Sequence, residues 1–162
     1  MDKRIYIAGP EVFNPKVDEI FKRIDKICVM AGFKAVFPQD NDFTNPKEIF
    51  DNNMKLIESS DAIIANLNPF RGEEPDSGTV FECAYGFSNG KPVIAYTSRK
   101  STMEIKKLRN MVDGRWVDED GMIVESYGNP VNLMLSESIT VITGDFVDAL
   151  FEYSLYLNNL KV

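Results

Sequence analysis

The stretch Asp61-Ala62-Ile63-Ile64-Ala65-Asn66 is a short apolar run that ends where a turn-rich loop begins. A run of this length between turn signals is typical of a strand that is buried on both faces of a sheet. The loop, residues 67–76, leads into a predicted helix over residues 78–88. A second apolar run follows at Pro92-Val93-Ile94-Ala95-Tyr96. Strand, helix and strand in this order predict two parallel strands joined by a helical crossover.

The same alternation of apolar runs and helical segments extends to both sides of this unit. Further strands are predicted at residues 4–8, 33–37 and 139–142, and a hairpin near residues 118–121. Further helices are predicted after Asn14-Pro15, after Asn45-Pro46, around residues 103–111, from Asn129-Pro130 and over residues 145–160. Five buried strands separated by helices predict an α/β fold with a doubly wound, flavodoxin-like parallel sheet flanked by helices. We expect residues 1–162 to form a single domain.

The composition narrows the classes of partner. The chain of 162 residues carries a formal net charge of −7, which disfavours nucleic acid polymers and anionic membrane surfaces as partners. There are two scattered cysteines and no histidine, so no zinc or copper site is expected and an Asp/Glu magnesium cluster stays open. No apolar run reaches membrane-spanning length and no signal peptide is recognised, which predicts a cytoplasmic protein with reduced, partly buried thiols.

The stretch Glu74-Pro75-Asp76-Ser77-Gly78-Thr79-Val80-Phe81-Glu82 carries the candidate chemistry. In doubly wound folds, ligands bind outside the carboxyl ends of the strands, and this stretch follows the third strand. A carboxylate near a helix N-terminus is kept ionised, so Asp76 and Glu82 are candidates for nucleophile or general base. Thr79 to Glu82 also matches a capping box, and Asp76 could be only a turn residue. Spacing alone favours these structural readings.

The turn after the first strand offers two more candidates. Tyr6 stands near the end of that strand, from which its hydroxyl could reach a catalytic carboxylate, although tyrosine in a strand more often packs in a core. Gly9 would let a substrate approach the backbone closely. The turn has no GxGxxG or Walker pattern, and Glu11 would repel a phosphate.

Taken together, these residues resemble the nucleoside 2-deoxyribosyltransferase family. The resemblance is carried by four stretches: Tyr6-Ile7-Ala8-Gly9-Pro10 with Phe13, Ser60-Asp61-Ala62-Ile63-Ile64-Ala65, Asp76-Ser77-Gly78-Thr79-Val80-Phe81-Glu82 and Asn132-Leu133-Met134-Leu135. It implies an enzyme of nucleoside salvage that moves 2-deoxyribose from one nucleobase to another without a cofactor.

The resemblance also implies roles for individual residues. Glu82 would be the nucleophile that forms a covalent deoxyribosyl intermediate, Tyr6 would orient it, and Asp76 would bind the sugar hydroxyls. Asn132 would reach the 5′-hydroxyl in a neighbouring subunit's site, which implies a homo-oligomer. Substrate-binding positions would include Gly9, Phe13, Asp42, Asn53, Gly78 and Asn132, with Asp42 and Asn53 facing the nucleobase.

Asn53 departs from the family pattern, in which some members carry an aspartate that could protonate the leaving base. An amide can form hydrogen bonds but cannot serve as that acid. Asp42 is the substitute that we would test for this proton transfer.

Two alternatives to the transferase remain. A related hydrolase would cleave 2′-deoxynucleoside 5′-monophosphates, but it needs a phosphate pocket of serine, glycine or arginine, and this chain has Pro10-Glu11-Val12-Phe13 there. A non-catalytic, nucleotide-sensing domain on the same scaffold would use Glu82 only as a cap. The sequence leaves purine-only or broader base specificity, and dimer or hexamer, undecided.

Overall fold

The structure, a computed structural model, describes residues 3–38, 45–104 and 110–160. Its centre is a five-stranded parallel sheet in the order β2-β1-β3-β4-β7. The strands of this sheet are β1 (Lys3–Ala8), β2 (Phe33–Val36), β3 (Ala62–Asn66), β4 (Val93–Thr97) and β7 (Thr140–Thr143). This strand order confirms the predicted flavodoxin-like fold.

Helices cover both faces of the sheet. They are α1 (Val17–Met30), α2 (Pro46–Glu58), α3 (Ser77–Ser88), α4 (Leu133–Ser136) and α5 (Phe146–Asn159). Successive strand residues point to opposite faces, so Ile5 and Ile7 of β1 pack with α1 and α5, whereas Tyr6 and Ala8 pack with α2 and α3. Within the described segments, no helix is long and apolar enough to cross a membrane.

The region after β4 differs from the prediction of a helix over residues 103–111. A short 3-10 turn, Thr102–Glu104, is followed by an antiparallel pair, β5 (Asn110–Val112) and β6 (Arg115–Val117), while residues 105–109 lie outside the described residues. Asp113 and Gly114 both have positive φ, at 48° and 76°, which is the geometry of a tight hairpin turn. A second turn, closed by a bridge between Val117 and Ile123, lies where the hairpin near residues 118–121 was predicted.

Two predicted helix starts are displaced toward the C-terminus. The asparagine before a proline suggested starts at Asn14 and Asn129, but α1 begins at Val17 and α4 at Leu133. Asn132 caps α4, because its Oδ1 accepts a hydrogen bond from the Met134 amide at 2.9 Å. By contrast, Asn45 caps α2 as predicted and accepts from the Lys47 amide.

Candidate active site

A small cleft opens at the carboxyl end of the sheet, between the turn after β1 and the N-terminal half of α3. Its volume is about 160 Å³. The side chains and backbone that line it come from the β1 turn, the end of β2, α2 and α3, and they are Gly9, Val12, Phe13, Pro38, Ile49, Asn53, Asp76, Gly78, Thr79 and Glu82. Sequence reasoning placed the site at this edge of the sheet because ligands of doubly wound folds bind there.

A hydrogen bond between Tyr6 and Glu82 joins β1 to α3 in this cleft. The Tyr6 hydroxyl donates to Glu82 Oε1 at 2.6 Å, which is the short distance expected for a bond to a carboxylate. Tyr6 is fully buried in the sheet, so its hydroxyl has a fixed position. The contact predicted between these two residues is therefore present, and it holds one edge of the Glu82 carboxylate.

The capping box proposed for Thr79 and Glu82 is wrong. The N-cap of α3 is Asp76, whose Oδ2 accepts from the Thr79 amide at 2.9 Å and from Thr79 Oγ1 at 3.0 Å. Since α3 begins at Ser77, Glu82 lies beyond the first helical turn, where the helix dipole has little effect. The orientation of Glu82 comes from the sheet through Tyr6, and the helix N-terminus is not what holds it.

Asp76 uses one carboxylate oxygen for the helix. Within the described residues, both hydrogen bonds to its carboxylate end on Oδ2. A Cβ placed on Gly78 would lie 3.1 Å from Asp76 Oδ2, so a larger residue there would crowd the cap. Asp76 therefore combines a structural bond with a carboxylate oxygen on the wall of the cleft.

The wall formed by the β1 turn depends on Glu11, which sequence reasoning considered only as a repulsive charge. Glu11 Oε1 accepts from Asn66 Nδ2 at 2.6 Å, and a Cβ on Gly9 would lie 2.0 Å from Glu11 Oε2. A side chain at position 9 would therefore require the Glu11 carboxylate to move. Beyond this turn, Phe13 stacks on Phe70 at a centroid distance of 5.3 Å.

Two nucleobase positions were predicted beside the cleft. Asn53, in the middle of α2, is buried and lines the cleft. Asp42 lies outside the described residues.

Asn132 does not reach this cleft in the same chain. Its Nδ2 donates to Glu125 Oε1 at 2.9 Å, and its side chain lines a separate hollow with Glu74, Thr102 and Glu125. Glu125 also accepts from the Leu133 amide at 2.8 Å, which fixes the start of α4. Six of the nine predicted site residues line the cleft in one chain, and Tyr6 bonds to Glu82 there. Asn132 lies apart, and Asp42 lies outside the described residues.

The two cysteines are fully buried, more deeply than predicted. Burial raises the pKa of the Cys28 thiol to about 11, and burial also raises the pKa of Cys83, with the charge of Glu82 adding to the effect. Both thiols are therefore protonated near neutral pH, and neither is an activated nucleophile. Within the described segments, no group of three or more Cys, Asp and Glu side chains is placed to hold a metal ion.

The fold and the cleft define a class: α/β proteins in which a tyrosine-bound carboxylate lines a small cleft at the carboxyl edge of a doubly wound sheet. A family model described as nucleoside 2-deoxyribosyltransferase matches residues 5–134. The chain therefore belongs to the nucleoside 2-deoxyribosyltransferase family, an enzyme family of deoxyribosyltransferases and N-glycosidases.

Two solved structures are similar to this chain. The chain is similar to a structure titled 2-desoxiribosyltransferase from Leishmania mexicana, with a TM-score of 0.80 and 34% identity over 93% of this chain and 96% of the other. A 2-deoxyribosyltransferase of Bacillus psychrosaccharolyticus shares the fold, with a TM-score of 0.54 and 17% identity over 90% and 95% of the two chains.

Two proteins of similar sequence carry different names. An uncharacterized protein of Schizosaccharomyces pombe is 29% identical over 88% of this chain and 79% of its own length. A candidate 2′-deoxynucleoside 5′-phosphate N-hydrolase of Thermofilum pendens is 36% identical over 63 residues, which are 39% of this chain and 41% of that protein.

Proposed function

We propose that this protein transfers 2-deoxyribose between nucleobases in nucleoside salvage, through a covalent deoxyribosyl intermediate on Glu82. The observation that carries the proposal is the 2.6 Å hydrogen bond from the Tyr6 hydroxyl to Glu82 Oε1 in the cleft. A buried hydroxyl that holds a carboxylate in one orientation is what a nucleophile needs for attack in line with a breaking bond. Membership of the family supplies the substrate class, 2′-deoxynucleosides and free nucleobases.

The proposed reaction is a double displacement. A carboxylate oxygen of Glu82 attacks the anomeric carbon, the N-glycosidic bond breaks, and the bonding electrons leave with the base, which takes up a proton. A nitrogen of the second base then attacks the same carbon from the opposite side and gives up its proton, and the carboxylate is released. Each step inverts the anomeric carbon, so the product keeps the configuration of the donor, as in retaining glycosidases.

The charges around the cleft suit this chemistry. The transition state resembles an oxocarbenium ion, and the Glu82 carboxylate stabilises its positive charge electrostatically. We assign Asp76 to the sugar hydroxyls, because its Oδ2 is bound to Thr79 while the carboxylate lines the cleft. Gly9, Phe13 and Gly78 would shape the walls around the sugar and base.

The base needs a proton as it leaves, and Asn53 cannot donate one as an acid. We assign Asn53 to hydrogen bonding with the base, since it lies in the cleft wall on α2. Asp42 is the group that we propose for the proton transfer, on its sequence position alone.

Hydrolysis of a deoxynucleoside 5′-monophosphate is the second candidate, and the named relative from Thermofilum pendens favours it. A 5′-phosphate bound at the β1 turn would meet the carboxylate of Glu11, which is fixed there by Asn66. The two negative charges would repel each other, so this turn favours an uncharged nucleoside as substrate. A non-catalytic sensor is a third candidate. In such a protein Glu82 would serve only as a helix cap, but Asp76 caps α3 and Glu82 does not.

Incubation with deoxyinosine and free adenine separates these candidates. We expect both hypoxanthine and deoxyadenosine to form in equal amounts, as followed by liquid chromatography. Formation of hypoxanthine without deoxyadenosine would refute the transferase proposal and favour the hydrolase. No turnover, with deoxyinosine binding intact, would favour the sensor.

We also propose a homo-oligomer in which Asn132 of one subunit reaches the 5′-hydroxyl in the site of another. Asn132 is exposed and lies in a different hollow from Glu82. This position supports a role for Asn132 in the site of a neighbouring subunit. Mixing the Asn132→Ala and Glu82→Ala variants should restore part of the activity that each has lost. No recovery, despite subunit exchange shown by labelled subunits, would refute the shared site.

A further inference from the structure

The loop between β3 and α3, residues 67–76, ends at Asp76 and holds an unfavourable backbone shape. Arg71 has a φ of 52° and Gly72 a φ of 150°, both in the region that L side chains rarely adopt. A non-glycine residue such as Arg71 is strained in this region. Such a conformation persists only when surrounding contacts impose it.

Arg99, two residues after the end of β4, supplies such a contact. Its Nη2 donates to the backbone carbonyl of Glu73 at 2.7 Å and to Glu73 Oε2 at 3.0 Å. Arg99 is 8% exposed, so its charge is costly unless it is paired, and Glu73 is the partner that pairs it. The two bonds fix the loop three residues before Asp76.

The position of Arg99 is itself fixed by the ends of two strands. Its backbone amide donates to Thr97 Oγ1, and its carbonyl accepts from Thr143 Oγ1, both at 3.3 Å. Thr97 ends β4 and is fully buried, and Thr143 ends β7. Because the backbone of Arg99 is bonded to the ends of β4 and β7, its guanidinium holds the loop at a fixed position relative to the sheet.

A second attachment holds the other end of the same loop. Asn68 Oδ1 accepts from the Ser98 amide and from Ser98 Oγ, each at 2.8 Å. Asn68 follows β3 closely, so this contact fixes where the loop starts. The Arg99 contact acts on the half that leads to Asp76, where the Glu74 carbonyl also accepts from the Phe70 amide at 2.9 Å within the loop.

We propose that Arg99 is a positioning residue for the sugar site, which acts by holding the loop so that the Asp76 carboxylate stands in the cleft. The inference rests on the proposed function, because it assigns Asp76 to the sugar hydroxyls. Neither Arg99 nor Glu73 lines the cleft, so their effect on substrate passes through the loop.

A double-mutant cycle with deoxyinosine as donor and saturating adenine tests this role. In the wild-type background, Arg99→Met should raise the KM for deoxyinosine about 10-fold, within the range of coupling found inside one bonded network. In the Asp76→Asn background the same change should raise KM by less than about twofold, since the group that Arg99 positions is already altered. Release of hypoxanthine is the readout, and every assay contains saturating adenine because the KM for the donor in a double displacement depends on the acceptor.

Two further variants separate positioning from folding. Arg99→Lys keeps a cation that can donate to both Glu73 oxygens, so we expect it to recover most of the lost KM. Lys100→Met is the matched control, because it removes a neighbouring charge that is exposed, and its KM should equal that of the wild type. Thermal unfolding of each variant shows whether the fold is retained.

The outcomes distinguish the two proposals. An equal rise in KM in both backgrounds, or no rescue by Arg99→Lys in a folded protein, would overturn the role of Arg99 while the proposed function stands. Absence of base release in the wild type would overturn the proposed function and this inference with it.

Discussion

Asp76 and Glu82 belong to the same helical region but are held in opposite ways. Asp76 is bound by the helix that it starts, through the amide and hydroxyl of Thr79. Glu82 is bound from outside its helix, through the buried Tyr6 hydroxyl of β1. The first carboxylate is thus part of the local fold, whereas the second depends on tertiary structure. Changes at Asp76 should therefore affect stability and substrate binding together, and changes at Glu82 should affect chemistry alone.

The largest effect is expected from Glu82→Gln. The amide is not a nucleophile, so we expect the rate of base exchange to fall on the order of 10⁴-fold, as when a reacting group is removed. Its oxygen can still accept from Tyr6, so the melting temperature should stay within about 2 °C, a shift that corresponds to less than 1 kcal/mol in a domain of this size. Rates from deoxyinosine and adenine, with circular dichroism melts, provide the measurement.

A matched control is available one residue away. Phe81 is half exposed, so Phe81→Leu should change neither the rate nor the fold appreciably. Retention of full activity in Glu82→Gln would remove Glu82 from the mechanism and leave Asp76 as the remaining carboxylate in the described part of the cleft wall.

A smaller, divided effect is expected at Asp76. Asparagine caps helices about as well as aspartate, so Asp76→Asn should leave the free energy of unfolding nearly unchanged. It should lower kcat/KM by about 10- to 100-fold, because a hydrogen bond to a charged group contributes about 1.5–3 kcal/mol. Asp76→Ala should lose the same activity and also about 1 kcal/mol of stability. Equal stability of the Ala and Asn variants in urea unfolding would contradict the capping role.

The fold could be predicted because its signals are local. Each central strand is a short apolar run, such as residues 62–66, and a parallel sheet buried on both faces needs only such runs separated by helices. The local sequence did not predict the correct helix start where several residues could serve as the N-cap. Asp76 displaces Thr79, and Asn132 displaces Asn129, because side-chain geometry decides which residue reaches the free amides.

The candidate site was harder to predict from residue spacing alone. Tyr6 and Glu82 lie far apart in the chain, and their contact depends on how β1 and α3 pack. Resemblance to the family supplied that pair. No local pattern predicted the contacts of Arg99 and Glu11. An arginine after a strand and a glutamate in a turn are ordinary surface residues until their partners Glu73 and Asn66 are placed.

The smallest effects come from removing the hydroxyl that holds each carboxylate. Tyr6 and Thr79 are both almost fully buried, so Tyr6→Phe and Thr79→Val remove the hydroxyl that bonds to each carboxylate with little change in shape. Tyr6→Phe should slow base exchange about 10-fold, because a hydrogen bond to an ionised group is lost where the reaction occurs. Thr79→Val should cost about 1 kcal/mol of stability and leave the rate within about twofold, since the Thr79 amide still binds Asp76. If the two variants lose activity equally, the helix cap and the tertiary hydrogen bond serve the chemistry alike, and the contrast between Asp76 and Glu82 does not hold.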